Sequence, residues 1–272
     1  MLSELISIAM SAIYSYFNSS ELGSIKMIST LQGQKVVVVG GTSGMGLGAV
    51  QAAIEAGAKV IVASRRPTSV RNALQPLSDK IQHMVVDIMN EGAIRRMFED
   101  IGELDHLFIT ATPSTSAAVG AFLEQELARA QEFMNGKFFG SWACARYAAA
   151  KMRHDGSITF LTGASSIRPR PGTSIITATF AAVEALSCAL AVELGPLRVN
   201  TIRPGLIDSD MWSFLDAAAR NELRENVIKK FPVHRVGKIE DVGHAALFLM
   251  TNPYVTGTVL EVTGGEQLVD AF

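Results

Sequence analysis

Short apolar runs alternate with longer stretches of helical periodicity from Leu31 onward. The runs fall at 36–39 (four valines), 60–63, 84–86, 107–109, 157–161, 199–202 and 258–262. Most are apolar on successive residues and too short for a helix, which suits strands buried on both faces. Between them, 46–56, 90–100, 121–152, 174–194 and 240–250 read as helices. This alternation predicts an α/β fold: a doubly wound parallel sheet of seven strands, covered by helices on both faces in three layers. No repeat, low-complexity linker or internal boundary interrupts 31–272, which reads as a single domain.

The first thirty residues stand apart as an extension. Within Met1–Phe17 polar residues recur near every fourth position (Ser3, Ser7, Ser11, Ser15), which suggests a short amphipathic helix. The stretch is too short for a confident membrane span and lacks the leading Lys or Arg of a secretory signal. Three readings stay open. It is an extra packing helix, an upstream start on a protein that begins at Met27, or, less favoured, a membrane-surface or partner helix over 1–17.

Composition narrows the function classes. The chain has 272 residues, 48% hydrophobic and 18% charged, with a net charge of −2. That length supports a well-buried core, and the near-neutral balance leaves no electrostatic footprint for nucleic acid. A cytoplasmic protein is the expectation. Cys144 and Cys188 lie in alanine-rich helical segments without metal-type spacing, and read as buried small hydrophobes. The five histidines are scattered, so no metal site is expected.

The candidate chemistry begins where the first valine run ends. Gly40, Gly44 and Gly46 punctuate Gly-Gly-Thr42-Ser43-Gly44-Met45-Gly46, a glycine-rich turn between a buried strand and the helix of Leu47–Ala56. Gly40 permits the turn, Gly44 lets backbone approach a pyrophosphate, and Gly46 lets the helix pack close to the sheet. The helix N-terminus offers N–H groups and a positive dipole end to phosphates. A plain tight turn is the alternative, but the strand before and helix after favour a dinucleotide cradle. The second strand ends Ser64-Arg65-Arg66, without the acid that would hold both ribose hydroxyls of NAD. Two arginines favour a 2′-phosphate, hence NADP(H); a solvated pair of strand-end charges is the other reading.

These residues resemble the short-chain dehydrogenases/reductases from Leu31 to the C-terminus. The resemblance is carried by the glycine loop, by Ala182-Val183-Glu184-Ala185-Leu186 and Leu190–Leu194, by Arg198-Val199-Asn200 and Pro204-Gly205, and by the run from Gly257 to Gly265. It implies a Rossmann-type fold and a homotetramer or homodimer. It also implies an adenine contact at Asp87-Ile88 and a cofactor wall at Ala111. Nicotinamide contacts at Ile207 and Ser209 and a catalytic asparagine at Asn135 follow from it as well.

The same resemblance places the family's catalytic serine, tyrosine and lysine at Gly163, Ile176 and Phe180, none of which carries the required group. Thr162 is one residue off and could lend a hydroxyl. Ser165, Arg168 and Arg170, in the loop after the fifth strand, are candidate substitutes, with surface charge as the alternative for the arginines. Tyr147 and Lys151 have the family's tyrosine–lysine spacing but precede the fifth strand, and read as packing and a solvated charge.

General acid catalysis is typically worth about 10²–10⁴ in rate, so its loss should disable ordinary ketone reduction. Hydride transfer belongs to the cofactor, and can proceed to an iminium or a conjugated acceptor. The leading expectation is therefore atypical NADP(H)-linked reduction. A redox-neutral cyclase or isomerase working by proximity, as in specialised metabolism, and a non-catalytic NADP-binding protein are the alternatives. Met211, Trp212 and Phe214 suggest a small, apolar organic substrate.

Overall fold

The structure is a computed structural model that describes residues 30–65, 81–209 and 216–269. Seven strands form one sheet: β1 (Lys35–Val39), β2 (Lys59–Ser64), β3 (Ile81–Val85), β4 (Leu104–Ile109), β5 (Met152–Leu161), β6 (Arg198–Pro204) and β7 (Val259–Val262). Every pairing is parallel, and the order across the sheet is β3-β2-β1-β4-β5-β6-β7. This is the doubly wound Rossmann-type order, with its reversal between β1 and β4.

The helices are α1 (Gly44–Glu55), α2 (Glu91–Ile101), α3 (Leu127–Met134), α4 (Gly140–Ala149), α5 (Ser174–Glu193), α6 (Ala217–Lys230) and α7 (Ile239–Thr251). The valine run of β1 is continuous because alternate side chains serve opposite layers. Val36 and Val38 pack under α1 and α7 with Val50, Ala53, Val242 and Leu249. Val37 and Val39 pack under α2, α4 and α5 with Ile94, Phe98, Cys144 and Val183. Strand and side-chain periods thus dictate three layers.

Three details differ from the sequence reading. Residues 121–152 do not form one continuous helix: α3 and α4 are joined by a π-helical turn over Asn135–Phe139. Helix α6 was not read from the sequence, because it is polar around its circumference and buries only Val227. Its start is fixed by Asp216, whose carboxylate accepts from Ala219 N at 2.8 Å. Cys144 is buried but Cys188, on the outer side of α5, is exposed. Arg66, the aromatic stretch at 211–214 and the N-terminal segment 1–29 lie outside the described residues.

Candidate active site

Because all seven strands run parallel, their C-terminal ends share one edge, and the site is assembled there. The glycine loop leaves β1 beside the switch point, with Gly40 N donating to Ala63 O at 2.8 Å. Gly40 has φ +95°, and a Cβ there would lie 2.5 Å from Thr110 Oγ1 and 2.6 Å from Ala111 N. Both steric and backbone terms therefore demand glycine. A Cβ on Gly46 would overlap the Gly40 carbonyl oxygen and sit 2.7 Å from Thr110 Oγ1. Gly46 thus closes the turn on itself instead of seating the helix on the sheet. Close helix packing falls to Gly48 and Gly243, where α1 and α7 cross with each glycine against the other helix's backbone.

Gly44 faces open space, its nearest neighbour for a Cβ being Ser209 Cβ at 3.8 Å. Ser43 is the extended N-cap of α1 but gives it no side-chain hydrogen bond, and the first turn holds no acid. Thr42 and Met45 flank it half-buried. The N–H groups of that turn, with the positive helix end, therefore open onto a cleft of about 460 Å³ lined by Gly44, Leu47, Asp208, Ser209 and Ile239. A pyrophosphate fits such a cradle in charge and in shape.

Neighbouring strand ends extend the cradle. At the end of β2, Ser64 Oγ is buried and has no hydrogen-bond partner among the described residues, and Arg65 beyond it is exposed. An orphaned hydroxyl here suits a ribose or phosphate oxygen. Past β3, Asp87 accepts from Met89 N at 2.9 Å, and Ile88 is half-buried, its carbonyl facing Gly140. Past β6, Pro204 and Gly205 lead to Ile207, which is buried and bridged to Gly237, and to Ser209 opposite Gly44. The residues read as cofactor-binding and described here thus converge on one edge from five strands.

The candidate catalytic residues do not all converge with them. Thr162 is buried, and its hydroxyl donates to Glu184 Oε1 at 2.8 Å. That hydroxyl is therefore already committed to a buried carboxylate. Ser166 donates to the same oxygen at 2.7 Å, and Arg203 grips Glu184 with two hydrogen bonds of 3.0 and 2.6 Å. Arg170 pairs its guanidinium with buried Glu266 at 3.0 Å. Arg168 donates to the carbonyls of Glu266 and Val269. The other Glu266 oxygen accepts from Leu206 N at 3.2 Å. Two buried glutamates, Glu184 and Glu266, therefore anchor Ser166, Arg168 and Arg170 of the loop after β5 to the strand ends. Tyr147 donates to Glu91 at 2.6 Å, tying α4 to α2.

Ile176 and Phe180 are buried with Phe133 and Ala118 in an apolar cluster of their own. The Phe133 and Phe180 rings lie 6.3 Å apart, and a Cβ on Gly163 would be 3.0 Å from the Phe180 ring. Asn135 is exposed, at the first position of the π-helical turn. Turns of this kind occur often at functional sites. This one is wedged tightly, since a Cβ on Gly136 would overlap Pro113 and one on Gly140 would lie 2.8 Å from Ile88 O.

Sequence reasoning missed Lys137, inside that turn. Its side chain is 1% exposed; Nζ donates to Ala111 O at 3.3 Å and lies 5.9 Å from the centre of the Phe180 ring. Burial pushes its pKa down to about 7, only partly offset by Cys144. Burial in turn pushes the Cys144 thiol up to about 12. The signal was present: Phe133, Lys137, Ser141, Cys144 and Ala148 form a buried stripe at helical spacing, and a lysine on such a stripe is anomalous.

Comparison with known proteins agrees with this geometry. Residues 39–267 match the family model described as enoyl-(acyl carrier protein) reductase. The short-chain dehydrogenase/reductase fsr5 of Gibberella fujikuroi is 29% identical over 89% of this chain and 98% of its own. Among solved structures, a small-chain dehydrogenase in complex with NADPH is 31% identical with a TM-score of 0.71, covering 87% of this chain and all of its own. The MalC reductase/Diels-Alderase of Malbranchea aurantiaca is 27% identical with a TM-score of 0.81, covering 89% and 99%. With the seven-stranded order, the glycine cradle at the switch point and a match running from β1 past β7, the chain belongs to the short-chain dehydrogenase/reductase family of oxidoreductases.

Proposed function

We propose that the protein is an NADP(H)-dependent reductase acting on a small, apolar organic acceptor, an iminium or a conjugated system, without the family's serine–tyrosine–lysine relay. The observation that carries this reading is the apolar wall of Ile176, Phe180 and Phe133, beside a phosphate cradle left uncapped by its own side chains. When bound, the cofactor supplies hydride. The chain's residues supply the rest. The first turn of α1 holds the pyrophosphate, Ser64 and Arg65 meet the adenosine ribose and its 2′-phosphate, and Ile207 and Ser209 flank the nicotinamide. The apolar wall orients the acceptor and excludes water. The NADPH complex of a relative 31% identical supports the cofactor assignment. Exposed Phe139, Trp142 and Val192 on the outer helices support association of copies into a dimer or tetramer.

A redox-neutral cyclisation is the second reading. It is favoured by the same wall, which can fold a bulky substrate by proximity, and by the two activities in the name of the Malbranchea relative. The test is a calorimetric titration with NADPH and NADH, followed by incubation with iminium and unsaturated-carbonyl panels. Preferential NADPH binding with NADPH consumption is expected. Product without cofactor turnover would shift the reading to cyclisation, and no binding of either cofactor would end both.

A further inference from the structure

Lys137 is a titratable group that the reading above leaves unused. It sits where the C-terminal end of β4 meets the α3–α4 turn. Its acceptor, Ala111 O, belongs to the residue whose N–H binds Val39 O at 3.0 Å and whose backbone abuts Gly40. On its other side is the Phe180 ring. The amine therefore bridges the glycine loop and the apolar wall, the two halves of the proposed site. Ala111 O is its one hydrogen-bond acceptor among the described residues, whereas an ammonium has three N–H bonds to satisfy. A buried lysine so poorly partnered costs the fold stability, and a methionine would fill the same space without that cost. N–H bonds left without acceptors among the described residues, between the glycine loop and the apolar wall, have the form of a donor awaiting a ligand's oxygen.

We propose that Lys137 is the catalytic acid of this site, and that its ammonium selects conjugated carbonyl acceptors over iminium ions. The inference rests on the hydride-transfer reading and narrows its substrate class. A bound dihydronicotinamide would supply hydride for a C–H bond at the β-carbon of the acceptor. The π electrons move onto the carbonyl oxygen as the C=C bond is reduced. An Nζ–H bond of Lys137 breaks and an O–H bond forms, giving the enol, which becomes the saturated carbonyl in water. The neutral amine recovers its proton once product release readmits water. A pKa brought to about 7 by burial suits a proton donor at neutral pH. A cationic acceptor, in contrast, would face a like charge across a short apolar gap.

The test uses full-length protein loaded with NADP⁺ and two planar probes: 4-nitrophenolate, an oxyanion resembling the enolate, and N-methylpyridinium, a cation resembling the iminium. The phenolate should bind the wild type about tenfold or more tighter than Lys137→Met, the value of a charge-assisted hydrogen bond. The pyridinium should bind Lys137→Met at least as well as wild type. Independently, wild-type protein carrying ¹³C-labelled lysine should show one Cε resonance titrating near neutrality, absent from Lys137→Met and moved to higher pH by the phenolate. Equal phenolate affinity, no saturable phenolate binding, or a Lys137 resonance that the phenolate leaves in place would each overturn the assignment. NADPH affinity measured on the same samples separates the readings. Its absence removes the reductase itself, whereas tight NADPH binding with an inert Lys137 removes this inference alone.

Discussion

Replacing Lys137 with methionine should make the protein more stable, by an amount that shrinks as pH rises. In the unfolded chain the amine titrates at 10.5, whereas in the fold burial holds it at about 7. Between those values the unfolded chain binds more protons than the folded one, so wild-type stability rises with pH across that window and is lowest at and below its neutral end. At about 1.4 kcal/mol per pH unit, the buried amine costs about 4 kcal/mol at pH 7, about 2 at pH 9 and under about 1 at pH 10.5. Methionine has a similar length and no charge to desolvate, so Lys137→Met should recover most of that cost. Cys144 titrates in neither folded protein across this range, because its thiol is held up at about 12; its contribution from the unfolded chain is common to both and cancels in the difference.

Urea unfolding of both proteins at pH 7, 8, 9 and 10 measures the gap directly. A gap that is several kcal/mol at pH 7 and closes towards pH 10 supports a buried amine that is half neutral at pH 7. A gap independent of pH, or a variant less stable than wild type at pH 7, would refute the electrostatic account and leave Lys137 as an ordinary packing residue. The stability effect and the phenolate effect should run in opposite directions. A side chain that costs stability while improving ligand affinity is what a functional group, unlike a structural one, is expected to show.

Other expectations follow from the same geometry. Gly46→Ala should abolish measurable NADPH binding by calorimetry and cost about 1–3 kcal/mol of stability, because the added Cβ overlaps the Gly40 carbonyl oxygen; retained micromolar binding would remove the loop from the cofactor site. Arg65→Ala should weaken NADPH about tenfold or more while sparing NADH, the signature of a charged contact to the 2′-phosphate; equal losses would argue for NAD. Arg203→Met should cost about 3–5 kcal/mol in urea unfolding, since it strands buried Glu184 without its cation; a loss under about 1 kcal/mol would show the pair to be dispensable. His106, buried at the opposite edge of the sheet against Ser157 and Gln34, has its pKa lowered to about 4, by burial first and Arg198 next, against the raising influence of Asp105 and Asp155. Its imidazole is neutral in the fold, so stability should fall by about 3 kcal/mol as pH drops from 6.5 towards 4, a slope that His106→Gln should flatten.

The central strands were legible because their apolar runs serve two helical layers at once, and Val36–Val39 could satisfy that demand only in the middle of a parallel sheet. The cradle was legible because positive-φ turns leave glycines in the text. What the sequence hid has a common physical cause: it depends on which long-range partner a polar side chain finds. Thr162, Arg168 and Arg170 read as chemistry by position, but Glu184 and Glu266, distant in sequence, engage all three. Helix α6 lacks an apolar stripe, so its periodicity carries no signal. Gly46 and Gly48 are indistinguishable as letters, yet one closes a turn and the other admits a neighbouring helix.

Lys137 is the instructive omission, because its significance lies in contradiction between levels. Helical periodicity assigns position 137 to the buried stripe, while residue type assigns lysine to solvent, and the fold obeys the periodicity. Such a conflict survives where it performs a task. The resemblance places a lysine at 180 and a hydroxyl at 176, on α5; here both positions are apolar and pack with Phe133. That packing is what shields the amine reaching in from the α3–α4 turn. An aromatic ring at 180 excludes water from Nζ, lowers its affinity for a proton and leaves a face that attracts the charged form when it is present. Restoring a lysine at 180 without removing the one at 137 would place two amines in the same apolar chamber, and at most one of them could carry a charge.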